Sequence, residues 1–246
     1  MSAAIRLVDV RAAYSPEQPV LRGLTLEVAA GEIVALLGRN GSGKTTTFRL
    51  LAGLLRPDSG TIEIAGTSVL ADSKESRRLV GYVPDESLLY PTLSALENLN
   101  MFGLLWNVRR ERIRERAREL LTAVGLWSVR DQWVRSYSLG MRQKVAFCAA
   151  LLPEPRVLLM DEPFTGLDLD AALWAREHLQ QFAKREGTIL FTSHTPELVE
   201  AFAHSVAILH EGRIVYHENQ KQVAADGGLI KVWRRVVNEP RSEVSA

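Results

Sequence analysis

Apolar and polar residues alternate over residues 5–10 (IRLVDV) and again over 24–28 (LTLEV), the two-residue period of a strand with one face buried. Residues 33–37 (IVALL) are apolar without a break, which fits a strand covered on both faces. A glycine-rich turn follows, and residues 45–52 then read as a helix closed by Gly53 and Pro57. Further short strands are expected at 61–64 and 80–83. From about Leu88 to Leu152 the pattern turns helical. Within 109–124 the apolar residues Ile113, Ala117, Leu120, Leu121 and Val124 share one helical face. Opposite charges stand at i,i+3 spacing in Glu111–Arg114, Arg112–Glu115, Glu115–Arg118 and Arg116–Glu119. Because acids interleave with the arginines throughout, that face is read as solvated rather than as a nucleic-acid patch. The last third alternates again, with strands at 157–160 and 188–192 around a helix from about Asp170 to Arg185. A hairpin of 205–209 and 213–216 turns through Glu211 and Gly212. The whole is an α/β core with a helical insert. Residues 220–246 form a short tail, with 238–246 expected to lack fixed structure.

Bulk properties narrow the function classes. Thirty basic and 29 acidic residues leave a formal net charge of +1, so there is no bulk electrostatic case for nucleic-acid binding. A single cysteine, Cys148, cannot form an intramolecular disulfide and fits a reducing compartment. A spanning helix needs about 20 apolar residues, and the longest apolar run here extends only from Val145 to Leu152. The first ten residues read as a strand, not a signal peptide. Any membrane role is therefore expected to come through a partner.

Chemistry enters with Gly38-Arg39-Asn40-Gly41-Ser42-Gly43-Lys44-Thr45, which fits G-x-x-x-x-G-K-[ST]. Glycines let the backbone curl so that successive amides face phosphate oxygens. The helix that follows adds the positive end of its dipole. Lys44 is expected to reach the β- and γ-phosphates and the Thr45 hydroxyl to bind Mg²⁺. The strand at 157–160 ends in Asp161 and Glu162. A buried parallel strand delivers its C-terminal residues to the sheet edge where ligands bind. Consecutive residues point to opposite sides, so Asp161 is assigned to Mg²⁺ and Glu162 to polarising an attacking water.

The neighbouring residues extend the pattern. Tyr137-Ser138-Leu139-Gly140-Met141-Arg142-Gln143-Lys144 resembles the signature motif of ABC ATPases, usually L-S-G-G-Q. Pro163-Phe164-Thr165-Gly166-Leu167-Asp168 resembles that family's D-loop, Thr192-Ser193-His194 its switch histidine, and Gly81-Tyr82-Val83-Pro84-Asp85-Glu86 its Q-loop region. Tyr14 stands where the family places an aromatic that stacks on adenine. Singly, Ser138 is also a good helix N-cap, and His194 or Tyr14 an ordinary loop or strand-end residue. Two positions depart from the pattern: Leu139 and Met141 replace Gly and Gln of the signature, and Asp85 replaces the usual glutamine. Both departures look like the branch that serves drug, lipid or polysaccharide exporters.

The resemblance covers roughly residues 5–218 and implies a phosphate-loop NTPase (RecA-like) core, an N-terminal antiparallel β subdomain and an inserted α-helical subdomain. It divides the chain into a single ATPase domain at 1–219, with 1–84 and 153–219 as the α/β core and 85–152 as the helical part, and a tail at 220–246. The implied cofactors are ATP and Mg²⁺. The implied binding residues are Tyr14, Gly38, Asn40, Gly41, Ser42, Gly43, Lys44, Thr45 and Thr46, with Ser138, Gly140 and Asp168 acting across a dimer. The implied catalytic set is Lys44, Asp85, Glu162 and His194, and the metal set Thr45, Asp85 and Asp161. Expected partners are a membrane permease, docking near residues 85–99, and a second copy arranged head to tail. The expected location is the inner face of the cell membrane. An importer ATPase and a soluble ABC protein are the competing readings. The latter usually carries two modules or a long coiled-coil insertion.

Overall fold

The computed structural model describes residues 3–15, 17–69, 73–85, 88–165 and 169–238. The alternating segments near the start pair antiparallel as β1 (Ala3–Ala13) and β2 (Pro19–Ala29). They extend beyond the limits of the alternation because a bulge resets its phase. Asp9 takes a φ of 46° and the register slips between Leu7 and Val10, so Val10 and Ala12 turn inward after Ile5 and Leu7. The continuous apolar run is β3 (Ile33–Leu37), and the phosphate-loop motif leads from it into α1 (Lys44–Leu51). β4 (Ser59–Ile64) and β5 (Thr67–Ser68) complete a four-stranded sheet in the order β2-β1-β4-β5.

After α2 (Ser73–Arg78) the chain forms β6 (Val80–Val83) and the helices α3 (Ala95–Leu105), α4 (Arg110–Ala123) and α5 (Leu139–Leu151). It then alternates through β7 (Val157–Met160), α6 (Leu169–Lys184), β8 (Thr188–Phe191), α7 (Pro196–Phe202), β9 (Ser205–His210) and β10 (Arg213–Asn219). The residues after Asn219 fold as α8 (Gln220–Ala225) and α9 (Leu229–Trp233), and Asn238, expected to be unstructured, accepts a hydrogen bond from Arg39. The rest of the expected unstructured end, 239–246, lies outside the described residues.

The second sheet runs β10-β9-β3-β8-β7-β6, parallel except for the β9–β10 hairpin. Both faces are covered, which is why its strands read as unbroken apolar runs. Val34, Leu36, Val157 and Leu159 face the four-stranded sheet and α1, whose Phe48 is fully buried. Ile33, Ala35, Leu37, Leu158 and Met160 face α5 to α9. Each large buried side chain of this kind contributes roughly 1.5–3 kcal/mol. A third core joins α3, α4 and α5 through Leu99, Ala117, Leu121, Val145 and Cys148. Burial there pushes the Cys148 thiol up to about 12, leaving it a packing residue.

Of the four charge pairs expected on α4, two form: Arg112–Glu115 and Arg116–Glu119, each at 2.6 Å. Glu154, just beyond α5, contacts both Arg112 and Arg116 and draws them to its own side. Spacing along the helix could not reveal this third carboxylate. Among the described residues no helix is long and apolar enough to cross a membrane.

Candidate functional site

Strand order places the chemistry. β8 lies between β3 and β7, so the loop leaving β3 and the acidic pair leaving β7 flank the C-terminal end of β8 at one sheet edge. α1 opens with Gly43 at φ 108°, where a side chain would be strained and a Cβ would stand 2.6 Å from Leu21 Cδ2. At Gly38 a Cβ would come within 2.5 Å of the Leu209 carbonyl oxygen. The loop is thus wedged between β2 and β9 with no room for side chains at these two points. The amides of Lys44, Thr45 and Thr46 have no backbone carbonyl to donate to among the described residues, as expected for a first helical turn. The Ser42 hydroxyl is buried without a hydrogen-bond partner among the described residues. Lys44 Nζ folds back to donate to the Gly38 and Arg39 carbonyl oxygens at 2.8 and 3.3 Å. Burial lowers its pKa, while the nearby Glu162 and Asp161 carboxylates partly offset that effect.

Asp161 follows the phase of Val157 and Leu159, toward α1. Thr45 Oγ1 donates to its Oδ2 at 2.9 Å and Thr192 Oγ1 donates to its Oδ1 at 2.7 Å. Asp161 is almost fully buried. Glu162 leaves the strand with φ 50°, a left-handed conformation costly for a side-chain-bearing residue. Its amide donates to Thr192 Oγ1 at 2.8 Å and its Oε2 accepts from the Thr165 hydroxyl at 3.3 Å. His194 Nε2 stands 3.1 Å from Glu162 Oε1, an electrostatic contact and not a well-directed hydrogen bond. Burial raises the Glu162 pKa, opposed by His194 and by the hydrogen bonds from the His194 amide and Thr165, with Asp161 adding to the rise.

Tyr14 is 57% exposed, with its hydroxyl 3.2 Å from Thr46 Oγ1 and taking a hydrogen bond from Arg49 at 3.2 Å. A cleft of about 660 Å³ is lined by Tyr14, Asn40, Gly41, Gly43, Lys44, Thr45, Thr46, Asp85, Asp161, Glu162 and His194. Gly38 and Ser42, though in the same loop, do not line it. Ser138 and Gly140 stand apart at the start of α5, where Ser138 Oγ accepts from the Met141 amide at 3.2 Å as an N-cap. Asp168 lies outside the described residues. Two contributors were given no role of their own from the sequence. Thr192 ties Asp161 to the Glu162 amide, and its only signal is a hydroxyl at the end of an apolar run. Arg49 holds the Tyr14 hydroxyl, and its exposed place one turn into α1 gives no signal.

Residues 21–165 match the family model described as ABC transporter. The ABC transporter ATP-binding protein NatA of Bacillus subtilis (strain 168) is 37% identical over 216 residues, spanning 86% of this chain and 88% of that protein. The Nod factor export ATP-binding protein I of Paraburkholderia xenovorans (strain LB400) is 39% identical over 211 residues, spanning 86% and 69%. A dimeric post-hydrolysis state of the ATP-binding cassette MJ0796, bound to ADP and Pi, superposes with a TM-score of 0.79 at 26% identity, covering 88% of this chain and 98% of that one.

Proposed function

This chain belongs to the family of ABC transporter ATP-binding subunits and shares their ATPase fold, and on that premise we propose that two copies of it hydrolyse ATP between them to drive export through a membrane permease. The observation that carries the reading is the convergence of loop, acidic pair and histidine on one cleft beside the Thr45–Asp161–Thr192 hydrogen-bond chain. The unpaired amides at the start of α1 and the Ser42 hydroxyl donate to phosphate oxygens. Lys44 exchanges two carbonyl oxygens for the β- and γ-phosphates, and the Tyr14 ring stacks on the base. Glu162 takes the proton of the attacking water. His194 holds that carboxylate and reaches the γ-phosphate.

Thr45 and Asp161 present hard oxygen donors side by side, and Asp85 opens on the same cleft. This suits Mg²⁺, which takes one or two protein oxygens and completes its shell with phosphate and water. When bound, the metal offsets phosphate charge.

Ser138 and Gly140 do not line the cleft, and we read a second copy, turned head to tail, as supplying them together with Asp168. The MJ0796 cassette, solved as a dimer, supports that arrangement. An apolar groove of about 850 Å³ between the sheet edge and the helical part, lined by Leu54, Tyr82, Pro84, Leu88, Leu105 and Trp106, takes a cytoplasmic helix of the permease. With that docking, the subunit is read as sitting on the inner face of the membrane. The export name of a relative supports the direction. We read 1–84 and 153–219 as the ATPase core, 85–152 as the signature-bearing helical part and 220–246 as an appended tail. In the Glu162→Gln variant, nucleotide binding persists, turnover falls by about 10²–10⁴, and an ATP-bound dimer accumulates on size exclusion. Wild-type turnover in that variant would sink the assignment.

A further inference from the structure

The arginines of α4 fall into two groups. Arg112 and Arg116 are held by Glu115, Glu119 and Glu154. Arg110, Arg114 and Arg118, at i, i+4 and i+8, are all exposed and make no ion pair among the described residues. The expected Glu111–Arg114 and Glu115–Arg118 pairs do not form. The three guanidinium groups therefore make one ridge spanning roughly 12 Å at 1.5 Å per residue. At its far end, Arg118 lies 5.7 Å from the centroid of the half-buried Trp127 ring, and Arg130 lies over the same ring at 4.3 Å while pairing with Asp131. At its near end, the chain entering α4 carries Leu104 and Leu105, 44% and 72% exposed, followed by the exposed Arg109.

We propose that this ridge, with the leucine tip beside it, is a contact surface for anionic phospholipid headgroups. Uncompensated guanidinium groups bind phosphate oxygens in bidentate fashion. A straight row of like charges on an exposed helix suits a field of headgroups better than one shaped acidic peptide. Exposed leucines next to an arginine cluster are the pairing found on interfacial surfaces, where apolar groups enter the boundary and cations stay at the phosphate level. The inference rests on the permease reading in one respect: residues 105–107 also line the groove assigned to the permease helix, so a subunit docked there has this end of the ridge beside the membrane partner.

The test is flotation of the full chain, without nucleotide, with vesicles of phosphatidylcholine alone and of phosphatidylcholine with phosphatidylglycerol. The chain binds the anionic vesicles selectively and loses them as salt rises. Each basic residue near such a surface contributes roughly fivefold. The triple variant Arg110→Gln, Arg114→Gln, Arg118→Gln therefore binds on the order of a hundredfold more weakly, with unchanged thermal midpoint and basal ATPase. Arg112→Gln, which removes one charge held by Glu115 and Glu154, weakens binding by less than the roughly fivefold that each ridge arginine contributes. Equal flotation of wild type and triple variant, or no preference for anionic vesicles, overturns the proposal. So does a triple variant that floats normally yet loses stimulation by the permease in neutral vesicles, because an acidic protein segment then owns the ridge. Neither result bears on ATP hydrolysis, which is read separately.

Discussion

Thr192 donates a 2.7 Å hydrogen bond to Asp161 Oδ1 and, through the same oxygen, accepts the amide of Glu162. One buried hydroxyl at the end of β8 thus fixes both halves of the acidic pair from the neighbouring strand. Thr192→Val keeps the shape but leaves a buried carboxylate oxygen and a buried amide unserved. The expected cost is about 2–3 kcal/mol in urea unfolding, with turnover reduced as well. Thr192→Ser restores most of both. Unchanged unfolding in Thr192→Val would show that the bridge carries no energy.

With Glu162 as the proposed base, the acid limb of kcat/KM is expected to report its carboxyl in the free enzyme. Burial raises that group above its ordinary value of 4.5. Only the carboxylate can accept a proton, so ATPase activity falls as pH drops through this elevated pKa, at higher pH than for an ordinary glutamate. The neighbouring His194 opposes that rise, so His194→Ala is expected to move the limb to still higher pH. Initial rates across the pH range at low ATP check both the position and the sign; a downward move in His194→Ala would refute the coupling.

Lys44 donates to two loop carbonyl oxygens, contacts it is proposed to exchange for phosphate. Lys44→Ala is expected to weaken nucleotide binding by about 10- to 100-fold or more, the worth of hydrogen bonds to a charged group. Equilibrium dialysis with labelled ATP measures it, and wild-type affinity would contradict the loop's assigned role.

Asp85 is exposed on the cleft that also holds Asp161 and Glu162. It touches the site from the segment leading to the groove proposed for the permease helix. Asp85→Gln removes a negative charge there without disturbing the acidic pair. The isolated subunit is expected to keep its basal ATPase, while stimulation by the permease in proteoliposomes changes. Complete loss of basal activity would instead place Asp85 in the chemistry.

The residues that meet in the cleft were legible wherever chemistry is written in a short segment. The glycines, Lys44 and Thr45 form one continuous motif, and Asp161 and Glu162 end a run whose apolarity marks a strand covered twice. The fold was legible to the same degree, with β3, β6 and β7 found at their own limits. What stayed hidden depends on neighbours distant in sequence. Thr192 reads as an ordinary β-branched strand residue until β8 is placed beside β7. β1 was cut short because the bulge at Asp9 breaks the alternation that announced it. The fate of the α4 arginines was set by Glu154, which lies beyond the next helix.

Glu162 occupies a backbone conformation that a glycine would adopt without strain. Replacing it with glycine would relax the turn after β7 and remove a half-buried acid in one step. A screen for thermal endurance would therefore reward the loss of the very group proposed to activate water. Hardier descendants of this chain should therefore be assayed for ATP hydrolysis before their robustness is counted as an improvement.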